Sequence, residues 1–165
     1  MTWEPGRERI QQLIDDGQIE QVTPDITIAR RLLADAGRHL ATASAAKAAD
    51  DMSGAYQLAY DAFRKSAASL LQAQGLRATS KGGHIAVQDA VTAQFSAAVG
   101  IFRSFGRIRR ARNSFEYPSS SAPGPAGEDV DDVVKVATQA HAAAGTVLDQ
   151  EMLTPWQPRP ETGPR

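Results

Sequence analysis

The chain has 165 residues, a formal net charge of −1 and no cysteine. Its length is about that of one domain and is enough to bury a core without covalent help, while the missing thiols exclude disulfides and thiolate metal sites. The near-zero charge gives the whole chain no pull toward nucleic acid or an anionic membrane, and neither a leader-like start (Met1-Thr2-Trp3-Glu4-Pro5) nor a long apolar run occurs, so a soluble cytoplasmic protein with no membrane partner is expected.

Alanine is abundant, β-branched clusters are scarce and apolar residues recur at helical spacing, which predicts an all-α fold with no strand. Residues 1–22 read as an N-terminal arm with a short helix from about Glu4 to Asp16, its Ile10, Leu13 and Ile14 on one side and Gly17 as its stop. The first long helix opens at Thr23-Pro24-Asp25, a hydroxyl N-cap, a proline at the first helical position and a carboxylate near the positive helix end, and runs to about Ala49. The second covers Met52 to Gln74, with Tyr56, Ala59, Phe63, Ala67 and Leu70 as its apolar stripe and Gly75 as its end. A small, polar, glycine-rich loop from Gly75 to Gly83 leads into a third helix from about His84 to Glu116, on which Ile101, Phe105, Ile108 and Phe115 track an apolar face. Pro118 cannot continue that helix, and Ser119 to Pro125 has the composition of a surface loop. A fourth helix, with an acidic first turn, spans about Glu128 to Met152, and the proline-rich residues 154–165 are expected to be disordered. Residues 23–153 then form an antiparallel up-and-down four-helix bundle, with the short N-terminal helix as an extra.

Charge is unevenly spread. From Ala90 to Phe115 there are five arginines and no acidic residue, and Glu128, Asp129, Asp131 and Asp132 follow as an acidic cluster. In the run Arg107-Ile108-Arg109-Arg110-Ala111-Arg112-Asn113-Ser114-Phe115-Glu116-Tyr117-Pro118, helical spacing puts Arg109, Arg112, Asn113, Glu116 and Tyr117 on one face. Guanidinium offers a planar fork of donors and the amide adds both donor and acceptor, a combination suited to phosphate. Arg112 lies at the border of the apolar face, where it can reach a groove. Glu116 is spaced for an ion pair with Arg112 or Arg109. Arg103, Arg107, Arg109 and Arg110 are candidates to bind phosphate or RNA, against a plainer role as a solvated face. The three histidines, His39, His84 and His141, are too scattered for a metal site, and neither metal nor other cofactor is expected. His84 follows Gly82-Gly83 and could bring an imidazole to the arginine run if the helix start folded back toward it; on one straight helix it would stand roughly 40 Å from Arg112, a gap that only a partner subunit would close, so a structural role near the helix start is expected of it.

Taken in order, Tyr60-Asp61-Ala62-Phe63-Arg64-Lys65, Leu70-Leu71-Gln72-Ala73-Gln74-Gly75-Leu76-Arg77, Gly82-Gly83-His84 and the run from Arg109 to Pro118 resemble a bacterial branch of the HEPN superfamily, over roughly Asp25 to Met152. The resemblance implies a small helical bundle, commonly a homodimer, acting as a metal-independent ribonuclease or as a toxin paired with a nucleotidyltransferase-like protein. In the catalytic branch an arginine and a polar residue are followed about a turn later by a histidine. Arg112 and Asn113 match the first two positions, and Glu116 or Tyr117 stands where the histidine would be. The catalytic candidates are therefore Arg112, Asn113, Glu116 and Tyr117: a carboxylate with a reference pKa of about 4.3 can accept a proton, and a phenol of about 10 can donate one. Tyr117 is also, by the same resemblance, a candidate for modification by the nucleotidyltransferase-like partner. The function implied is binding of RNA or nucleotide phosphate, with metal-independent endoribonuclease activity through an atypical motif. The alternative is an inactive interaction module that dimerises or docks such a partner, for which the missing histidine is the main argument.

Overall fold

The computed structural model describes residues 4–96 and 100–158. Among them the chain is mostly helical, in the order α1 (Arg7–Asp15), β1 (Ile19–Gln21), α2 (Ile26–Ala48), α3 (Met52–Ala73), β2 (Leu76–Ala78), α4 (Gly83–Phe95), a 3-10 helix (Gly100–Ser104), α5 (Phe105–Glu116) and α6 (Gly127–Asp149). No helix among the described residues is long and apolar enough to cross a membrane.

The core is organised around α3, which packs against α2, α4, α5 and α6. Its expected stripe of Tyr56, Ala59, Phe63, Ala67 and Leu70 is buried, and so are Ala55, Tyr60, Ala62, Ser66, Ser69 and Leu71, so the helix is covered on most of its circumference. Small residues make that possible, because they let neighbouring helices approach closely. Facing it, α2 contributes Ala29, Ala36 and Ala43, each fully buried and each two turns from the next. The hydroxyls of Ser66 and Ser69 bond back to the carbonyls of Ala62 and Ser66 at 2.8 and 2.7 Å, so neither is left unsatisfied in the core. The cap of α2 is Asp25, two residues later than the expected Thr23: its carboxylate accepts from the amides of Thr27 and Ile28 at 2.8 and 3.0 Å. A full negative charge at the positive helix end outcompetes a hydroxyl there.

Three expectations are corrected. First, the chain does contain strands: β1 and β2 pair antiparallel with Ile19 opposite Ala78 and Gln21 opposite Leu76. Three residues apiece are too few for alternation to register in sequence, and the pair is held by the buried Ile19 and Leu76. Second, the third helix is not continuous. α4 stops at Phe95 and the chain re-enters helix through a 3-10 turn, with residues 97–99 outside the described set. The buried face after the break is Phe102 in the 3-10 turn and Phe105 and Ile108 on α5, and Ile101 is only partly covered. Third, the tail does not begin free at residue 154. Trp156 is buried and its amide donates to the Gln74 carbonyl at 2.9 Å; residues 159–165 lie outside the described set.

Candidate functional site

Aromatic packing fixes α5 on α3. The ring of Phe105 stands edge-on to Phe63 at 5.0 Å and to Tyr60 at 6.4 Å between centroids, Phe102 reaches Phe63 at 5.7 Å, and Phe115 meets Tyr56 at 4.9 Å. The Tyr56 hydroxyl donates to the Ile108 carbonyl at 3.3 Å, and burial pushes its pKa up to about 12, so it stays a neutral donor. Two turns beyond Phe105 and one beyond Ile108, Arg112 is thereby delivered over α3, its guanidinium carbon 5.7 Å from the centre of the Tyr60 ring.

The break after α4 has a consequence for chemistry, because α4 and α5 now lie side by side against α3. His84, at the start of α4, comes within hydrogen-bond reach of α3: its Nδ1 is 3.0 Å from the Tyr60 hydroxyl. One turn on, Gln88 accepts from Arg109 Nε at 2.9 Å and ties α4 to α5. A cleft of about 250 Å³ results, lined by Gln57, Leu58, Tyr60, Asp61, His84 and Arg112. The expected separation of roughly 40 Å between His84 and Arg112 is thus overturned by the break in the helix: both line one cleft of one chain. A second hollow of about 380 Å³ adjoins it, lined by Ser53, Gly54, Tyr56, Gln57, Arg112, Phe115, Glu116 and Pro118, so that Gln57 and Arg112 form the wall between the two.

Electrostatically the cleft is cationic around a neutral imidazole. Burial, then the cations of Arg64 and Arg112, hold the His84 pKa below its ordinary value against the opposing pull of Asp61. Burial raises the Tyr60 hydroxyl, which keeps it protonated. For Asp61, burial acts to raise the pKa, but the hydrogen bond and charge of Arg64, with Lys65 and His39, outweigh it and leave the carboxyl below its usual range. Asp61 is the anchor of that side: Oδ1 takes Arg64, and Oδ2 lies 2.8 Å from His39 Nδ1 and 3.7 Å from Lys65 Nζ.

The sequence candidates separate into groups. Arg112 is half-buried at the cleft; its Nε donates to Gln57 at 2.7 Å and its Nη1 to Asn113 at 3.2 Å and to Glu116 as an ion pair, and Nη2 has no partner among the described residues. The spacing of Glu116 from Arg112 therefore does produce an ion pair. Asn113 is exposed, accepts from Arg112 and lines neither hollow, and Tyr117 is 77% exposed and lies past the end of α5. Of the other arginines, Arg109 faces the cleft side; Arg107 pairs with Asp132 at 2.7 Å, which neutralises part of the acidic cluster within the same chain. Arg103 donates to the Ser96 carbonyl at 2.8 Å beyond the end of α4, and Arg110 is exposed.

Sequence reasoning missed Gln57, Tyr60, Asp61 and Arg64 as site residues and favoured a structural role for His84. The first four fall at i, i+3, i+4 and i+7 on α3, a polar set on an otherwise apolar helix, and that spacing was available as a signal. The break that brings in His84 had a weaker sign in Gly100 and Gly106, residues that disfavour helix interiors. Comparison of the chain with family models, with curated proteins and with solved structures found no match.

Proposed function

We propose that the chain is a HEPN-like domain that binds RNA or nucleotide phosphate at Arg112, acts in the cytoplasm, and works as a homodimer. In this reading α2, α3, the interrupted pair α4 and α5, and α6 are the four legs of an up-and-down bundle, and the cleft beside Arg112 is the ligand groove. The observation that carries it is the placement of Arg112: a guanidinium held by neighbours at Nε and Nη1, free at Nη2, on the wall between two hollows and backed by Arg64 and Arg109. A fixed guanidinium with a free donor in a cationic cleft is what a phosphate oxygen selects.

The test is anisotropy of a fluorescent mixed-sequence single-stranded RNA titrated with the protein at several salt concentrations, alongside light scattering for the mass in solution. Binding should weaken with salt, and Arg112→Gln should cost about 1.5–3 kcal/mol, roughly ten- to a hundredfold in affinity, with a shallower salt slope. Salt-insensitive or absent binding would remove this reading. One observation favours the alternative of an inactive interaction module docking a nucleotidyltransferase-like partner: most of the Arg112 donors already serve Gln57, Asn113 and Glu116. Under that alternative Arg112→Gln would weaken dimerisation or partner binding and leave RNA affinity, if any, unchanged.

A further inference from the structure

We infer that the trough between α2, α3 and α4 is a docking site for the apolar C-terminal end of a partner protein, with the terminal carboxylate held at Arg64 and a peptide group held by Gln72. The inference stands apart from the phosphate-binding reading: no residue lines both this trough and the cleft beside Arg112.

Helical periodicity builds the trough. Arg64, Ala68, Leu71 and Gln72 fall at i, i+4, i+7 and i+8 along α3 and make one stripe, and Ile28 and Leu32, one turn apart on α2, form a wall beside it. Val87 of α4 and Leu76 of β2 close the other side. The space is about 540 Å³, more than either hollow beside Arg112 and within the usual range for ligand sites. Leu71, Leu76 and Val87 are its buried floor, whereas Ile28 is 45% exposed, an apolar side chain left on the rim.

The two ends differ in chemistry. Eight residues separate Arg64 from Gln72, about 12 Å along the helix. Gln72 is 9% exposed, and its side-chain amide makes no hydrogen bond among the described residues, so a donor and an acceptor are left over in the trough. The charges at that end are already matched: Asp25 accepts from the amides of Thr27 and Ile28, and Arg77 pairs with Glu20 at 2.8 Å. At the Arg64 end they are not. Asp61, which lies outside the trough, serves Arg64, Lys65 and His39 together, and Nη1 of Arg64 has no partner among the described residues.

The occupant therefore needs an apolar body, an anionic end for Arg64 and, about 12 Å away, a donor and acceptor for Gln72. An extended peptide advances about 3.3–3.6 Å per residue, so its terminal carboxylate and the peptide group three or four residues back have that separation. Gln72 bonds the N–H and C=O of that peptide group, the carboxylate accepts from Arg64, and the apolar side chains between them cover Ile28, Leu71 and Val87. A fatty acid would supply the body and the carboxylate but leave Gln72 unpaired.

The experiment is anisotropy of a fluorescein-labelled peptide ending in Ala-Val-Leu-Val with a free carboxylate, with the same peptide amidated at its C-terminus and with decanoate as competitor. Saturable binding of the acid is expected, with the amide about ten- to a hundredfold weaker, the loss of one charge-assisted hydrogen bond. Decanoate should displace the label only at concentrations about tenfold above those of the unlabelled peptide. Arg64→Gln should bind acid and amide alike. Gln72→Leu should weaken both about two- to tenfold, and Ile28→Asp, at an exposed position and checked for folding by circular dichroism, should weaken the acid more than the amide. No binding of the peptide, equal affinity of the intact protein for acid and amide, or displacement by decanoate as readily as by peptide each overturns the inference. All three are read on the intact protein, so none depends on a variant folding. A preference for the acid that persists in Arg64→Gln overturns it as well.

Discussion

Arg112 is restrained by three neighbours on two helices, and the restraint sets its availability. Gln57 on α3 fixes Nε, while Asn113 and Glu116 on α5 engage Nη1. Glu116 has a double effect: it orients the guanidinium and also places a negative charge next to any incoming phosphate. Its side chain is 35% exposed, so the pair is partly screened and worth no more than about 1 kcal/mol. Replacing Glu116 by Gln should therefore tighten RNA binding, by up to about fivefold for 1 kcal/mol, at little cost to stability. Titration of the labelled RNA against both proteins checks this, and weaker binding by Glu116→Gln would mean that orientation outweighs repulsion. At this scale the sequence was informative about partners one turn apart, because helical spacing alone pairs Arg112 with Glu116. It did not say that Gln57, Tyr60 and His84, on other helices, approach Arg112.

The elements carry the site through one interruption. Had the segment from Gly83 to Glu116 been a single straight helix, His84 and Arg112 would stand at opposite ends of it; the break at Phe95 and the 3-10 turn at Gly100–Ser104 lay the two halves side by side against α3. The start of α4 is clamped as well: Thr79 Oγ1 donates to the Gly17 carbonyl at 2.7 Å and accepts from the Gly82 amide at 3.2 Å, and Arg9 of α1 meets Asp89 at 2.6 Å. Gly82→Ala tests this clamp, since its methyl would meet the Gln18 carbonyl and Ala86 rather than open space. It should cost about 1–3 kcal/mol in denaturant unfolding, as overpacking of a tight contact does. An unchanged midpoint would show that the turn gives way freely. Elements with long, regular patterns, α2, α3 and α6, were legible within a few residues. The interruption was not, since Ile101, Phe105, Ile108 and Phe115 also satisfy a continuous helical period, and only packing shows that Phe102 displaces Ile101 from the core.

Across the whole molecule, α3 is the element against which the others are ordered, and the end of the chain returns to it. The Trp156 amide bonds to Gln74 just past the end of α3, and the residue is 6% exposed. Trp156→Ala should destabilise by about 3–5 kcal/mol, the usual cost of removing a large buried ring. For a chain of this size that lowers the melting temperature by about 2–4 °C per kcal/mol, which calorimetry would read directly. A loss below about 0.5 kcal/mol, typical of surface positions, would mean the ring contributes nothing there. Charge is also balanced at this scale: Arg107 with Asp132, and Lys47 with Asp131, join α5 and α2 to the acidic start of α6.

What the sequence determined by itself is the helical character of the chain, most helix limits and the apolar face of α3, because these depend on propensity, capping and periodicity within one segment. The basic run and its ion pair belong to the same class, being separated by a single turn. Tertiary structure alone decided that the third helix breaks, that the tail docks through Trp156, and that His84 and Arg112 share a cleft. Each of these depends on contacts between residues distant in sequence: Phe102 and Phe105 on Phe63 after the break, Trp156 on Gln74, and His84 on Tyr60.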